Sequence, residues 1–313
     1  MRLFLFILLF PLAAFAQYPS KPVRLIVPYP PGGGADVVAR LIAPRMAEGL
    51  GQPLVVENRP GAAGNIGADQ VAKSAPDGYM LLLHTSTVAM SPALGKLPYD
   101  LLRDLAPVAH VAETAMVIAV HPAVPARSLR ELIDLARKQP GELAYSTCGN
   151  ASPMHLAGEL LKLQAVVDIV HVPYKGCAPA LADVLGGQVP IAFNTLSNTV
   201  PQEKAGRIRL LAIASGARAP QFPALPTVAE AGFAGYEAAI WFGMFSPSGT
   251  SKEIINKLNV ELNRATAAAE VREKLSAQYY DLRGGSADEF AAFVRSEVAR
   301  WSKVIRDAAI KGD

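Results

Sequence analysis

Short apolar runs alternate with helical periodicity along most of this chain. Residues 25–27, 54–56 and 80–83 are apolar enough to be buried strands, and residues 35–50 and 65–73 between them repeat at helical spacing. That order is βαβαβ, which argues for a parallel sheet with helices on both faces. Pro44 falls inside the first helical pattern and is expected to kink it or remove a bond.

A long, almost uncharged run over 108–120 ends at His121-Pro122. It exceeds the usual strand of about 5–6 residues, so it reads as a crossing between two lobes. A second βα series follows. Helix 129–138 starts after Ser128, strand 143–146 leads into Thr147-Cys148-Gly149-Asn150, and helix 153–164 has Ser152 at its N-cap and Pro153 at its first turn. Strand 169–172 leads into Pro173-Tyr174-Lys175-Gly176-Cys177, with a helix near Pro179; strand 189–193 ends at Asn194-Thr195, and strand 209–214 follows. Residues 220–235 read as irregular, 236–245 as a return crossing, and 252–313 as helical. The expected organisation is α/β in two lobes, 17–114 plus 237–313 and 115–236, with a ligand cleft between them.

Composition narrows the function. Of 313 residues, 51% are hydrophobic and 18% charged, so there is material for sizeable cores. The net charge of +3 is spread without a Lys/Arg block, which speaks against nucleic acid. Arg2, the apolar stretch 3–12 and Ala14-Phe15-Ala16 form a secretory signal peptide, 1–16, expected to be cleaved after Ala16. The apolar stretch is too short to span a membrane. The mature chain is therefore expected to be soluble and periplasmic. Export also favours a disulfide between Cys148 and Cys177, the only two cysteines. The alternative is two separate buried thiols. A bridge would close a loop worth about 3–4 kcal/mol on the chain-entropy view.

Familiar catalytic signatures are missing. Gly32-Gly33-Gly34-Ala35-Asp36-Val37 fails the dinucleotide fingerprint at Val37, and no phosphate-loop, nucleophile-elbow or HExxH motif occurs. The five histidines have no metal spacing, so neither metal nor cofactor is expected. A secreted Cys/His enzyme built on Cys148, Cys177, His155 and His171 is the enzymatic alternative. What remains is a set of small, polar loops that each open a helix, at 31–36, 84–87, 147–152, 175–177 and 194–195. Free N–H groups at helix starts suit a carboxylate. Asp36 is either a first-turn acid on its own helix dipole or a reader of a ligand amine. Lys175 is a loop charge or a carboxylate contact, Ser152 an N-cap or a contact, and Trp241 hinge packing or cleft lining. At least one of Thr85, Ser86 and Thr87 is expected to reach the ligand.

Several long segments in order resemble the Bug receptors, the extracytoplasmic solute-binding subunits of tripartite tricarboxylate transporters. They are IVPYPPGGGADVVAR at 26–40, VVENRPGAAGNIGADQVAKSAPDGYMLL at 55–82, HLAGELLK at 155–162, VPYKGCAPALADVLGGQV at 172–189 and LPTVAEAGFAGYE at 225–237. The resemblance implies a two-lobed periplasmic-binding-protein fold of the type II kind. Each lobe would be a mainly parallel sheet flanked by helices, and two crossover strands would join the lobes. It implies a non-enzymatic, monomeric receptor that delivers a small carboxylate to membrane permease subunits; a relay to a membrane sensor is the alternative. Carried onto this sequence, the implied ligand set is Tyr29, Gly32, Gly33 and Ala35 with Ser86 and Thr87 in lobe one. In lobe two it is Thr147, Asn150, Ala151, Ser152, Lys175, Gly176, Cys177 and Asn194. Cys148 and Cys177 depart from the family pattern, standing where small hydroxyl or glycine-like residues are expected.

Overall fold

The computed structural model describes residues 18–311; the signal peptide read at 1–16 lies outside the described residues. The first lobe begins with β1 (Val23–Val27), α1 (Gly34–Leu50), β2 (Leu54–Asn58), α2 (Asn65–Ala72), β3 (Met80–Thr85), α3 (Thr87–Leu94) and α4 (Leu101–Asp104). β1 pairs in parallel with both β2 and β3. Its apolar residues are fully buried, as a strand covered on both faces requires. Pro44 does not break α1. Val38, Ile42, Met46 and Leu50 are buried on either side of it, and that packing carries the helix through the missing bond.

β4 (Leu105–Val120) belongs to both lobes. Residues 105–115 pair with β9 (Ala239–Pro247), and Met116–Val120 pair with β7 (Ile191–Thr195). The change of partner falls between Ala115 and Met116, so the expected crossing is present and starts three residues earlier than its apolar run suggested.

The second lobe holds α5 (Leu129–Lys138), β5 (Ala144–Thr147), α6 (Pro153–Ala165), β6 (Val170–Pro173), α7 (Cys177–Leu185), β7, α8 (Leu196–Lys204) and β8 (Arg209–Ile213). β5 pairs in parallel with β6 and β7, while β7 and β8 run antiparallel to β4. The return passes through Ala238, whose N–H donates to Ala214 O (2.7 Å), into β9. β9 begins at Ala239 rather than 236 because Phe233–Tyr236 forms a turn, anchored by the Tyr236 hydroxyl donating to Ala157 O (2.8 Å).

The chain ends with α9 (Lys252–Ala267), α10 (Ala269–Ser276), β10 (Tyr280–Leu282) and α11 (Ala287–Asp307). The sequence pattern concealed β10, three residues pairing antiparallel with β4 inside a helical region. Each lobe thus has a parallel part, and the antiparallel strands β4 and β9 run through the middle of the sheet order β2-β1-β3-β9-β4-β7-β5-β6.

Candidate functional site

A cleft of about 1150 Å³ lies between the lobes. Among the described residues, six helices open on it. Gly34 and Ala35 of α1, Asn65 of α2 and Thr87 of α3 come from the first lobe; Pro153 of α6, Cys177 of α7 and Ser197 of α8 come from the second.

The capping pattern separates these helices from the rest. α4, α5, α9 and α11 begin at Asp100, Ser128, Ser251 and Ser286, each accepting a hydrogen bond from its own first turn. α1, α2, α3, α7 and α8 begin at Gly33, Gly64, Ser86, Gly176 and Thr195, and none makes a side-chain cap. Of the cleft helices, α6 is capped, with Ser152 Oγ accepting from His155 N (3.3 Å). Away from the cleft, α10 is the one uncapped helix among the described residues, and it follows α9 directly. Five helix starts therefore turn uncapped N–H groups and positive dipole ends toward one cavity.

The backbone is bent to permit this. Ala62, Ala63 and Ala151 all line the cleft in the left-handed region, at φ 47°, 54° and 53°. Such conformations cost about 1–3 kcal/mol each and persist where the surroundings enforce them. Gly34 allows a close approach: a Cβ there would lie 2.7 Å from the Tyr280 hydroxyl.

Hydroxyls continue the lining. Tyr29 Oη lies 2.7 Å from Thr85 Oγ1, which lies 2.9 Å from Thr87 Oγ1. Behind them, burial pushes His84 down to about 4, so its ring is neutral. In the second lobe the Ala151 N–H donates to His155 Nδ1 (3.0 Å), and the His155 ring stacks on His171 with centroids 3.7 Å apart. Burial, followed by His155 and Lys162 nearby, pushes His171 down to about 3. Cys148 and Cys177 are joined in a disulfide and both line the cleft, so neither sulfur is available as a thiolate nucleophile.

Comparison with known proteins places this architecture. The tripartite tricarboxylate transporter family receptor, TctC, matches residues 38–310. The chain belongs to that family. Protein BugT of Bordetella pertussis is 39% identical over 297 residues, covering 94% of this chain and 91% of BugT. A solved structure of R. palustris Rpa4515 with adipate is 38% identical, with TM-score 0.82, covering 95% of this chain and all of that one. MatC from Rhodopseudomonas palustris with bound malate is 33% identical, with TM-score 0.78, covering 92% of this chain and all of that one. This TctC receptor is accordingly a solute-binding protein with a two-lobed fold.

The receptor brings ten of its sequence-predicted site residues to the cleft: Tyr29, Gly32, Gly33, Ala35, Thr87, Asn150, Ala151, Ser152, Gly176 and Cys177. Five others sit outside the lining. Asp36 is buried and accepts from Gly32 N (2.9 Å), Arg40 Nε (2.9 Å) and Asn58 Nδ2 (2.9 Å). Burial opposes its charge, but those bonds prevail and hold the carboxyl below its usual range. Ser86 is fully buried, its N–H donating to Trp241 O (2.8 Å). Thr147 is fully buried with Oγ1 2.7 Å from His171 Nε2. Asn194 straps α7 to α8, donating to Cys177 O (3.4 Å) and accepting from Asn198 Nδ2 (2.9 Å). Lys175 is exposed and is not among the residues lining the cleft.

Trp241 proves to be packing, buried with Nε1 donating to Glu297 (2.9 Å), while its β9 neighbours Ile240 and Phe242 face the cleft. The sequence pattern also missed Lys96, Asn198 and Tyr280. The alternation along β9 signalled Ile240 and Phe242; nothing local signalled Lys96, which tertiary folding carries there.

Proposed function

We propose that this chain is an exported, periplasmic receptor, processed after Ala16. It closes over a small organic carboxylate and delivers it to the membrane permease subunits of a tripartite tricarboxylate transporter. The observation that carries this reading is the convergence of five uncapped helix starts on one cleft. Each such terminus contributes about 0.3–1 kcal/mol to holding an anion, and up to about 2 kcal/mol when partly buried. Adipate and malate in the related structures support an acid as the occupant.

The carboxylate contacts belong to Tyr29, Gly32, Gly33, Ala35 and Thr87 on the first lobe and Asn150, Ala151, Ser152, Gly176 and Cys177 on the second. Asp36, Ser86, Thr147 and Asn194 act one layer back, holding those loops. The lobes, 17–114 with 237–313 and 115–236, close about the two strands at their junction. Calorimetry of the chain from Gln17 against mono-, di- and tricarboxylates tests the reading. Micromolar binding, about −8 kcal/mol, is expected for at least one acid, and no heat from any of them overturns it.

A further inference from the structure

The described lining of the cleft contains no acid and a single charged side chain, Lys96. Asp36, the acid beside the first-lobe loop, commits both oxygens to Gly32, Arg40 and Asn58. An ammonium group entering the cleft would lose water with no carboxylate to receive it. It would also meet the positive ends of the helix dipoles.

α3 determines where Lys96 stands. Thr87, Ser91 and Leu94 all line the cleft, at the i, i+4, i+7 spacing of one helix face. The helix therefore lies along the wall, with Thr87 at the anion seat. Eight residues rise about 12 Å, and the chain leaves the helix through Gly95 and Lys96 at the opposite end of that wall. The stretch between is apolar in character. Leu94 and Leu97 face the cavity, and Ser91 Oγ is already donating to Thr87 O (2.9 Å). Among the described residues no acid pairs with Lys96, so its ammonium is available to an anion.

We propose that Lys96 is the specificity-determining residue of this cleft. It reads a second, distal negative charge on an amine-free acid whose first carboxylate sits at the helix starts. The inference rests on the carboxylate reading and adds the charge pattern of the ligand: anionic at both ends, apolar between, and without an ammonium group.

Calorimetry on the chain from Gln17 with matched probes tests it. The pairs are adipate with hexanoate, glutarate with pentanoate, and glutarate with glutamate, each measured on wild type, Lys96→Met and Lys96→Arg. The diacid is expected to bind about tenfold more tightly than the monoacid of equal length. Lys96→Met removes that gap and leaves the monoacid within about twofold of wild type, and Lys96→Arg retains it. Glutamate is expected about a hundredfold weaker than glutarate. A gap that survives Lys96→Met, a wild type that binds monoacid and diacid alike, or glutamate matching glutarate overturns the proposal. Binding with no dependence on Lys96 fails this inference alone, whereas no binding by any acid fails the carboxylate reading. Lys96 is exposed, so Lys96→Met should melt with wild type, and its monoacid affinity reports an intact cleft.

Discussion

Cys148 and Cys177 bridge the loop after β5 to the first residue of α7, so one covalent bond joins the two second-lobe loops that line the cleft. Gly176 N also donates to Cys148 O (3.1 Å), and Tyr174 N to Thr147 O (3.2 Å). The bridge therefore reinforces a junction that backbone hydrogen bonds already draw together. Neither loop can shift against the other without stretching all three links.

Breaking this bond is expected to cost both stability and affinity. The cysteines are 29 residues apart, and constraining such a loop is worth about 3–4 kcal/mol. Cys148→Ser/Cys177→Ser should lose about that much unfolding free energy in denaturant, and in calorimetry any carboxylate that the wild type binds should bind more weakly. Peptide mapping of the unreduced protein should show the two cysteines linked. An unchanged denaturation midpoint in the double variant would count against a structural role.

Gly34→Ala should harm binding more than folding. The added Cβ would lie 2.7 Å from the Tyr280 hydroxyl and 3.5 Å from the Phe242 ring, both on the cleft wall. The end of the Tyr280 side chain borders the cleft and can yield into it, so the stability cost is expected at the low end of overpacking, about 1 kcal/mol. The intruding hydroxyl would occupy the ligand's place and weaken binding about tenfold. Gly34→Ala/Tyr280→Phe should recover part of that loss, as measured by calorimetry; no recovery would mean the hydroxyl is not the obstacle.

Asp36→Ala is expected to act on the fold. It leaves the Gly32 N–H and the Arg40 and Asn58 side chains without their common acceptor, a loss of about 1–3 kcal/mol. Equilibrium denaturation should register this in the absence of any ligand. Arg40→Ala should reproduce only part of it, because the Gly32 and Asn58 bonds remain.

Stability should fall as the solution is acidified. Burial lowers His84 and His110 to about 4, and burial, followed by His155 and Lys162 nearby, lowers His171 to about 3, against an ordinary value of 6.5. The unfolded chain thus takes up protons first. Stability is fully present above about 6.5 and declines as pH drops toward 4. Denaturation midpoints at pH 7, 6 and 5 should decrease in that order, by a few kcal/mol in total. A flat profile would mean that the buried rings take up protons in the folded state.

Much of the frame was legible in the chain. α5 runs over the ten residues that the Ser128 cap and the apolar spacing indicate, and α6 begins at Pro153 behind Ser152 as the turn chemistry requires. The site was legible as a set of loops and less so as a set of side chains. Asp36, Thr147 and Asn194 carry the polarity of ligand contacts, yet each is taken up by its own neighbours. β10 escaped notice because three residues are too few to show a period.

Local sequence settled most of the strands and helices, since apolar period and capping chemistry act within a few residues; it did not settle the caps, because Ser86 and Thr195 are capping residue types that stand at uncapped starts. It also supplied the two cysteines and the N-terminal pattern read as an export signal, which would favour their oxidation. Tertiary structure alone decided that the uncapped starts share one cleft. It also decided that Trp241 packs while Phe242 faces the cleft, and that Lys96 is the lone charge on the wall among the described residues. These are relations between residues distant along the chain, created when β4 changes partners between Ala115 and Met116 and sets the two lobes face to face.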